Sequence, residues 1–415
     1  MIDCLVGKSA LGIDALRIAI ITFHRAYNCG AMLQAWALKT VLERMGHTVE
    51  FPICNHVGET KRWKYEWINH DVHGMRVVRS LLGRVWINAL SVPCEDILRM
   101  RYRRFRKAHL PERACAPTDF GKYYDLVVVG SDQVWSARHS LSEAPLFFAE
   151  NLSESIRKIA YAASYGDKPL DDDLIRRVIA SLDRFSHISV REPLAQKQLS
   201  SLSPRKIDVT LDPTLLLTAN DYAAIAHNGD FVREPYLFMY TLSTTPFFVD
   251  TAKKLADRLG VRCIIAPCYQ YTRYGAVKGL TYSISPDRLV GLARGAKYVL
   301  AGSFHGTVMG LMFNKPFLSL RAQVDEYESR PAALLNMIEC GERLVNPLTS
   351  INDMEELLRH EVPANAYRLL AAKRKESLDW LEQAVNSRFQ TLTPNDQLSL
   401  KLRLGKLTTP TPFSN

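Results

Sequence analysis

The stretch AKYVLAGSFHGTVMGLMFNKPFLSL, residues 296–320, decides the fold class. The apolar run at 298–301 predicts a buried strand, residues 304–313 predict a helix, and the run at 317–320 predicts a second strand. A strand, a helix and a strand in close succession are typical of a parallel βαβ unit. His305 lies at the seam between the first strand and the helix. It either packs in the core or takes part in chemistry, and the stretch alone leaves both open.

The same alternation of short apolar runs and helical segments extends over most of the chain. Further strands are predicted at 16–23, 47–51, 124–132, 157–164, 187–192, 236–242 and 261–267. Helices are predicted at 28–46, where Asn28 is the N-cap, and at 246–260 and 286–295. This order predicts an α/β protein of two Rossmann-like domains that face each other across a cleft, with the ligand bound in that cleft.

The length of the chain also favours two domains, because 415 residues exceed what one hydrophobic core usually serves. We expect an N-terminal domain, a C-terminal domain, and a C-terminal helix with a polar tail, at 1–205, 206–350 and 351–415. Leu378, Leu381, Val385 and Phe389 share one face of that helix, which predicts that it packs on a neighbour. A helical insertion is expected at about 55–120.

Several classes of protein are excluded or disfavoured by composition. No apolar run approaches the ~18 residues of a membrane-spanning helix, and no secretory signal is present, so we expect a cytoplasmic protein. The eight cysteines show no CxxC pair and no histidine at zinc-ligand spacing. We therefore expect neither a structural metal nor a disulfide framework.

A net charge of +10 predicts an anionic partner. Two segments mix cations with aromatic residues, KRWKYEW at 61–67 and ILRMRYRRFRKAH at 97–109. Such mixtures suit contact with anionic lipid at the inner face of a membrane, and the alternative is a solvated helix face. No nucleic-acid-binding module accompanies the charge, so nucleic acid is not the expected partner.

Polar residues follow the predicted strands at their carboxyl ends, where parallel sheets bind ligands. After the strand at 298–301 come Ser303, His305, Gly306 and Thr307, at a helix N-terminus that favours an anion such as phosphate. A histidine beside a bound anion is a natural proton donor. A capping or core histidine is the alternative.

Three further strand ends carry candidate residues. They are Arg191 and Glu192 after 187–190, then Ser131, Asp132 and Gln133 after 124–130, and His24, Arg25, Asn28 and Gly30 after the first strand. Arginine suits a carboxylate or a phosphate, although a structural ion pair explains Arg191 equally well. A loop-organising Asp132 beside a packed Trp135 is the alternative for the second group.

Six segments, in this order, resemble the polysaccharide pyruvyl transferase family. They are NCGAMLQAWAL, YDLVVVGSDQVWS, IAYAASYG, ISVRE, LDPTLLL and SFHGTVMGLMFNKPF. The resemblance implies a fold similar to GT-B glycosyltransferases and transfer of pyruvate from phosphoenolpyruvate to a glycan as a cyclic ketal. It also implies that His305 is a donor-site or catalytic residue and that Arg191 binds the donor.

The chain departs from the family pattern at two positions. Some members have arginine where this chain has Ser303, and many have aspartate where it has Gly302. The first departure leaves one phosphate-binding cation unassigned, for which Lys315, Arg321 and Arg330 are the candidates. The second leaves His305 without an assigned orienting partner.

Pyruvyl transfer requires a proton donor, a proton acceptor and fixed cations, and it needs no metal or cofactor. His305 is the expected acid or base, with Glu192 and Asp132 as candidates for the second role. Other substrate contacts are expected from Arg191, Ser303, Gly306, Thr307, Lys315, Ser131, Gln133, Asn28 and Gly30. The expected partners are phosphoenolpyruvate, on the C-terminal domain, and a glycan or its polyprenyl-diphosphate-linked precursor, on the N-terminal domain.

Two other functions remain open at this stage. A nucleotide-sugar glycosyltransferase would share the fold, because fold does not determine function. A non-catalytic glycan- or lipid-binding relative would explain the missing arginine at Ser303.

Overall fold

Two parallel β-sheets form the framework of the protein. The structure is a computed structural model that describes residues 15–54, 97–136, 145–166, 172–227, 233–242, 246–267, 284–321 and 329–387. The strands of the first sheet are β1 (Arg17–Ile21), β2 (Thr48–Ile53), β3 (Glu112–Ala114), β4 (Leu126–Val129), β5 (Arg157–Ala163), β6 (His187–Val190) and β7 (Asp208–Val209). Those of the second are β8 (Tyr236–Thr241), β9 (Arg262–Pro267), β10 (Tyr298–Gly302), β11 (Phe317–Leu320) and β12 (Leu344–Val345).

Strand order follows the doubly wound pattern. The first sheet runs β3-β2-β1-β4-β5-β6-β7 and the second β12-β11-β10-β8-β9, and every pairing between these strands is parallel. Strands such as β4 and β8 are buried at every residue, because helices cover both faces of each sheet. The predicted α/β class with two Rossmann-like units is therefore confirmed.

Helices connect the strands and supply both outer layers. The described helices are α1 (Cys29–Arg44), α2 (97–109), α3 (Phe120–Tyr123), α4 (Asp172–Ser181), α5 (Pro193–Leu202), α6 (Ala219–Ile225), α7 (Pro246–Arg258), α8 (Pro286–Gly295), α9 (Phe304–Met312), α10 (Arg330–Met337), α11 (Ile351–Arg359) and α12 (Ala364–Asn386). None of them is long and apolar enough to cross a membrane.

The expected helical insertion at about 55–120 is described only in part. Residues 55–96, which include the segment at 61–67, lie outside the described residues, and 97–109 form α2 as predicted. Residues 112–114 form the edge strand β3, which pairs with β2 through Phe51 and Glu112, so this part of the expected helical segment is a strand. A strand of three residues is too short to show alternation in the sequence.

The C-terminal helix α12 packs on the first sheet. Leu381 and Val385 are buried on its inner face, and Trp380 Nε1 donates a hydrogen bond to Asp208 Oδ2 at 2.8 Å. The guanidinium of Arg157, at the start of β5, donates to the last carbonyl groups of this helix. The predicted face is therefore the packed one, although Phe389 lies outside the described residues.

Candidate active site

The carboxyl ends of strands from both sheets meet at one place. From the first sheet come Asp132 after β4, Ser164 after β5, and Arg191 with Glu192 after β6. From the second sheet comes His305, in the first turn of α9 after β10. The structure therefore brings together the residues that carried the sequence prediction, as parallel topology requires.

Arg191 is the centre of this cluster. Its guanidinium donates from Nε to Glu192 Oε1 at 2.8 Å, from Nη1 to Asp212 Oδ2 at 2.7 Å, and from Nη2 to Ser164 Oγ at 2.9 Å. It also lies 4.7 Å from the centre of the Phe304 ring. The residue is only 5% exposed. One buried cation is thus shared by two buried carboxylates.

The pKa values of the two carboxyl groups bound to Arg191 are shifted in opposite directions. Burial disfavours the charge on Asp212, but Arg191, His305 and hydrogen bonds from Thr214 outweigh it and lower the pKa of Asp212. Burial raises the pKa of Glu192, and the charge of Arg191 offsets this only in part. Glu192 Oε2 is buried and has no hydrogen-bond partner among the described residues. Asp212 is therefore the counter-ion of Arg191, and Glu192 is the carboxyl group that can hold a proton.

His305 is buried beside this group. Its Nε2 lies 4.0 Å from Asp212 Oδ2 and makes no hydrogen bond within the described part of the chain. Burial lowers the pKa of His305, an effect opposed by the charges of Asp212 and Asp132 and reinforced by those of Arg191 and Arg330. The imidazole is therefore neutral near pH 7 and can accept a proton.

The imidazole of His305 packs against the first turn of α1, across the boundary between the two sheets. Asn28 is the N-cap of that helix, as predicted, and accepts a hydrogen bond from Ala31 N at 3.1 Å. A Cβ atom at Gly30 would lie 2.0 Å from His305 Nδ1. Only glycine at position 30 leaves room for the ring, so the His305 side chain, which follows the second sheet, packs on the backbone of α1, which follows the first strand of the first sheet.

The segment after β4 contributes in two ways. Ser131 is buried, and its hydroxyl donates to Ala162 O at 2.8 Å, which holds the loop to β5. Asp132 adopts a positive φ of 68°. With its amide oriented to satisfy both groups, Gln133 accepts hydrogen bonds from Arg330 Nη1 and Nη2 at 2.7 and 3.1 Å. This contact ties the loop after β4 to α10.

Three residues predicted to bind substrate have structural contacts within the βαβ unit, and their contact with substrate stays a prediction. Ser303 is the N-cap of α9 and accepts a hydrogen bond from Gly306 N at 3.1 Å. The Thr307 hydroxyl lies inside the helix–sheet interface, 2.9 Å from that of Ser319. A Cβ at Gly306 would lie 3.0 Å from the side chain of Ala301, so this glycine permits close packing of the helix on β10.

Lys315 is not brought to the site. It follows the C-terminal end of α9, whereas His305 is in the first turn, and nine helical residues span about 13 Å. Arg330 instead faces the cluster, since its charge acts on both His305 and Glu192. Of the three cations considered for the role absent at Ser303, Arg330 is the one placed at the cleft.

Sequence reasoning missed Asp212, although the segment LDPTLLL contains it. The segment carries the family resemblance, but a carboxylate between an apolar run and a proline is typical of a turn and does not by itself indicate a site. The structure also explains Gly302, because a Cβ there would lie 2.3 Å from Thr241 Oγ1. An aspartate does not fit at that position, and Asp212 supplies a carboxylate beside His305 from the other side.

A small cleft, part of it open to solvent, lies against the cluster. Its polar lining is Arg191, Glu192, Asp212 and Arg330, and its apolar lining comes from the residues Leu211, Leu215, Phe304, Ala333, Leu334 and Met337. Within the described ranges, no group of three or more His, Cys, Asp or Glu side chains is arranged to hold a metal ion.

Comparisons with known proteins were made for sequence and backbone. A family model described as polysaccharide pyruvyl transferase matches residues 28–322. No functionally curated protein matches the chain in sequence. Similar solved structures include a UDP-GlcNAc 2-epimerase from Methanocaldococcus jannaschii, with 13% identity, a TM-score of 0.44, and 86% of this chain and 98% of that one covered. A glycosyltransferase from Rickettsia africae has 12% identity and a TM-score of 0.42, with 96% and 100% covered.

Proposed function

Because the chain belongs to the polysaccharide pyruvyl transferase family, we propose that it transfers the pyruvyl group of phosphoenolpyruvate to a sugar as a cyclic ketal, releasing phosphate. The acceptor is a cell-surface polysaccharide or its polyprenyl-diphosphate-linked precursor. One observation carries the proposal. Two buried groups of the cluster, His305 Nε2 and Glu192 Oε2, each present an atom that lacks a hydrogen-bond partner among the described residues. Burial lowers the pKa of His305 and raises the pKa of Glu192, which are the directions that suit a proton acceptor and a proton donor.

In the first step, the carbon–carbon double bond of the enol phosphate is protonated. The proton of Glu192 moves to the methylene carbon C3, and an acceptor hydroxyl oxygen bonds to C2. The proton of that hydroxyl moves to His305 Nε2. A carboxyl group with a raised pKa suits the donor role, and a neutral imidazole suits the acceptor role.

In the second step, a neighbouring hydroxyl replaces the phosphate at C2. The C–O bond to phosphate breaks, the phosphate leaves with the electron pair, and the second hydroxyl oxygen closes the ketal ring. Its proton returns to Glu192, and His305 gives its proton to the phosphate. Asp212 and Asp132 stabilise the protonated His305 in between, since both charges favour the imidazolium.

Donor binding uses the cations at the cleft. Arg191 is already paired with Asp212 and hydrogen-bonded to Glu192, so its role is to hold these two side chains in position as well as to donate hydrogen bonds. Arg330 supplies the additional positive charge for the phosphate or the carboxylate of the donor. The first-turn N–H groups of α9 add an electrostatic contribution that favours an anion.

The test is phosphate release from phosphoenolpyruvate with a panel of glycan acceptors, and detection of the pyruvylated product by mass spectrometry. His305→Asn and Glu192→Gln should each lower the rate by at least about a hundredfold. Lys315→Ala is the matched control, and its rate should be unchanged. Wild-type rates in both active-site variants would refute the assignment.

A ligand-induced thermal shift separates the alternatives. Stabilisation by phosphoenolpyruvate supports the proposal. Stabilisation by a nucleotide sugar alone would indicate a glycosyltransferase, and stabilisation by glycan alone would indicate a non-catalytic relative.

A further inference from the structure

The outer face of α2 combines cations with exposed apolar side chains. Leu98, Tyr102 and Phe105 are buried and fix the inner face of the helix. At 100° per residue, the opposite face carries Ile97, Met100, Arg103, Arg104 and Lys107. Ile97 is 40% exposed and Met100 61%. We call these five residues the α2 face. On it, two exposed apolar side chains lie beside three cations.

The charge of the described part of the helix has one sign. Residues 97–109 contain six cations, Arg99, Arg101, Arg103, Arg104, Arg106 and Lys107, and no carboxylate. Arg106 faces inward and pairs with Glu112 at 3.1 Å. The three cations of the α2 face form no ion pair with any residue that the structure describes. The described part of the helix therefore projects a positive field that no charge within residues 97–109 offsets.

We propose that the α2 face docks on a membrane surface rich in anionic lipid. Cations beside an anionic bilayer bind its headgroups, and an exposed methionine and isoleucine insert at the boundary between headgroups and acyl chains. Nucleic acid would use the cations alone and leave the exposed apolar pair unexplained. The combination on one face favours lipid.

The position of α2 connects this surface to the cleft. Tyr102 OH lies 3.0 Å from Cys29 Sγ, and the Tyr102 and Tyr27 rings are 5.5 Å apart, so α2 packs beside the first turn of α1. That turn is also the one against which His305 packs. A docked α2 would bring the cleft close to an acceptor held in the membrane; this last point rests on the proposed function, whereas lipid binding does not.

Vesicle co-sedimentation of the full chain tests the proposal directly. Vesicles of phosphatidylcholine mixed with phosphatidylglycerol should bind the protein, and pure phosphatidylcholine vesicles should not. Each cation near the surface contributes about fivefold in affinity. The triple variant R103S/R104S/K107S should therefore lose about a hundredfold, and Met100→Ser should weaken binding while leaving its salt dependence unchanged.

The matched control is K122S/K206S/K375S, which removes the same net charge from side chains that are 72%, 85% and 78% exposed elsewhere. It should bind as the wild type does. Equal losses in the two triple variants, or no binding of the wild type to anionic vesicles, would overturn the proposal. Binding to duplex DNA but not to vesicles would also overturn it. The R103S/R104S/K107S variant should turn over phosphoenolpyruvate with a soluble acceptor at the wild-type rate. This measurement distinguishes a failure of lipid binding from a failure of the proposed reaction.

Discussion

The contact between His305 and Gly30 can be tested without knowing the acceptor. Gly30→Ala would place a methyl group 2.0 Å from Nδ1, 2.4 Å from Cγ and 2.5 Å from Cε1 of the imidazole. Ordinary contact begins at 3.4 Å, so the ring or the helix must shift by about 1.4 Å. The substitution therefore acts on His305 even though Gly30 carries no functional group.

Two opposing contributions determine the change in the free energy of unfolding. Alanine within a helix is more stable than glycine by about 0.5–1 kcal/mol. Overpacking of a closed site costs about 1–3 kcal/mol. Gly30→Ala should therefore destabilise the wild type by about 1 kcal/mol. In the His305→Ala background the ring is gone, and the same substitution should stabilise by about 0.5–1 kcal/mol.

Urea unfolding of the four proteins of this double-mutant cycle gives the coupling energy, which should be about 2 kcal/mol. Gly121→Ala in α3 is the control, because a Cβ there would meet nothing within 4 Å. It should have the same effect with and without His305. A coupling below about 0.5 kcal/mol would show that the ring does not rest on Gly30 in solution.

Two further predictions concern buried and paired charges. Arg191→Ala should lower the free energy of unfolding by about 3–5 kcal/mol, because it leaves Glu192 and Asp212 buried without their cation. Adding E192Q/D212N should restore much of this stability in thermal melts. No recovery would contradict the arrangement in which both side chains bind Arg191. A hydrogen bond from Arg44 lowers the pKa of Asp221 to about 2 from 3.8. That contribution is complete above pH 3.8 and is lost as the pH falls through about 2. Asp221→Ala should therefore cost about 1 kcal/mol at pH 7 and progressively less as the pH falls through about 2. A cost that keeps its full pH 7 value in acid would exclude the ion pair as its cause.

The sheets were predictable because their strands are buried on both faces and read as apolar runs. The runs at 126–129 and 298–302 are strands in the structure, and the polar residues after them meet at one edge. What escaped prediction depends on tertiary contact. β3 is too short to show a pattern, and its strand conformation depends on its pairing with β2.

The roles of individual site residues were harder to predict than the location of the site. The segment SFHGT predicts several ligand contacts. In the structure, Ser303 caps the helix and Thr307 packs against β11. Small polar side chains form hydrogen bonds with nearby backbone and hydroxyl groups, and the sequence does not show these local contacts. Asp212 follows a short strand and precedes a proline, which reads as a turn. Its proximity to Arg191 arises from the pairing of β6 with β7, and its proximity to His305 arises only when the two sheets meet.

The return of α12 to the first sheet has a consequence for synthesis. Arg157 on β5 bonds to a carbonyl group that lies 230 residues further along the chain. At about 5–20 residues per second, the ribosome needs about 10–50 s to deliver that partner. The second sheet, contiguous in sequence, can assemble during this interval, whereas the first waits with the Tyr161 side of β5 uncovered until Trp380 arrives. The half that is translated first is therefore the half completed last, and nascent chains should depend on chaperones most strongly in that interval.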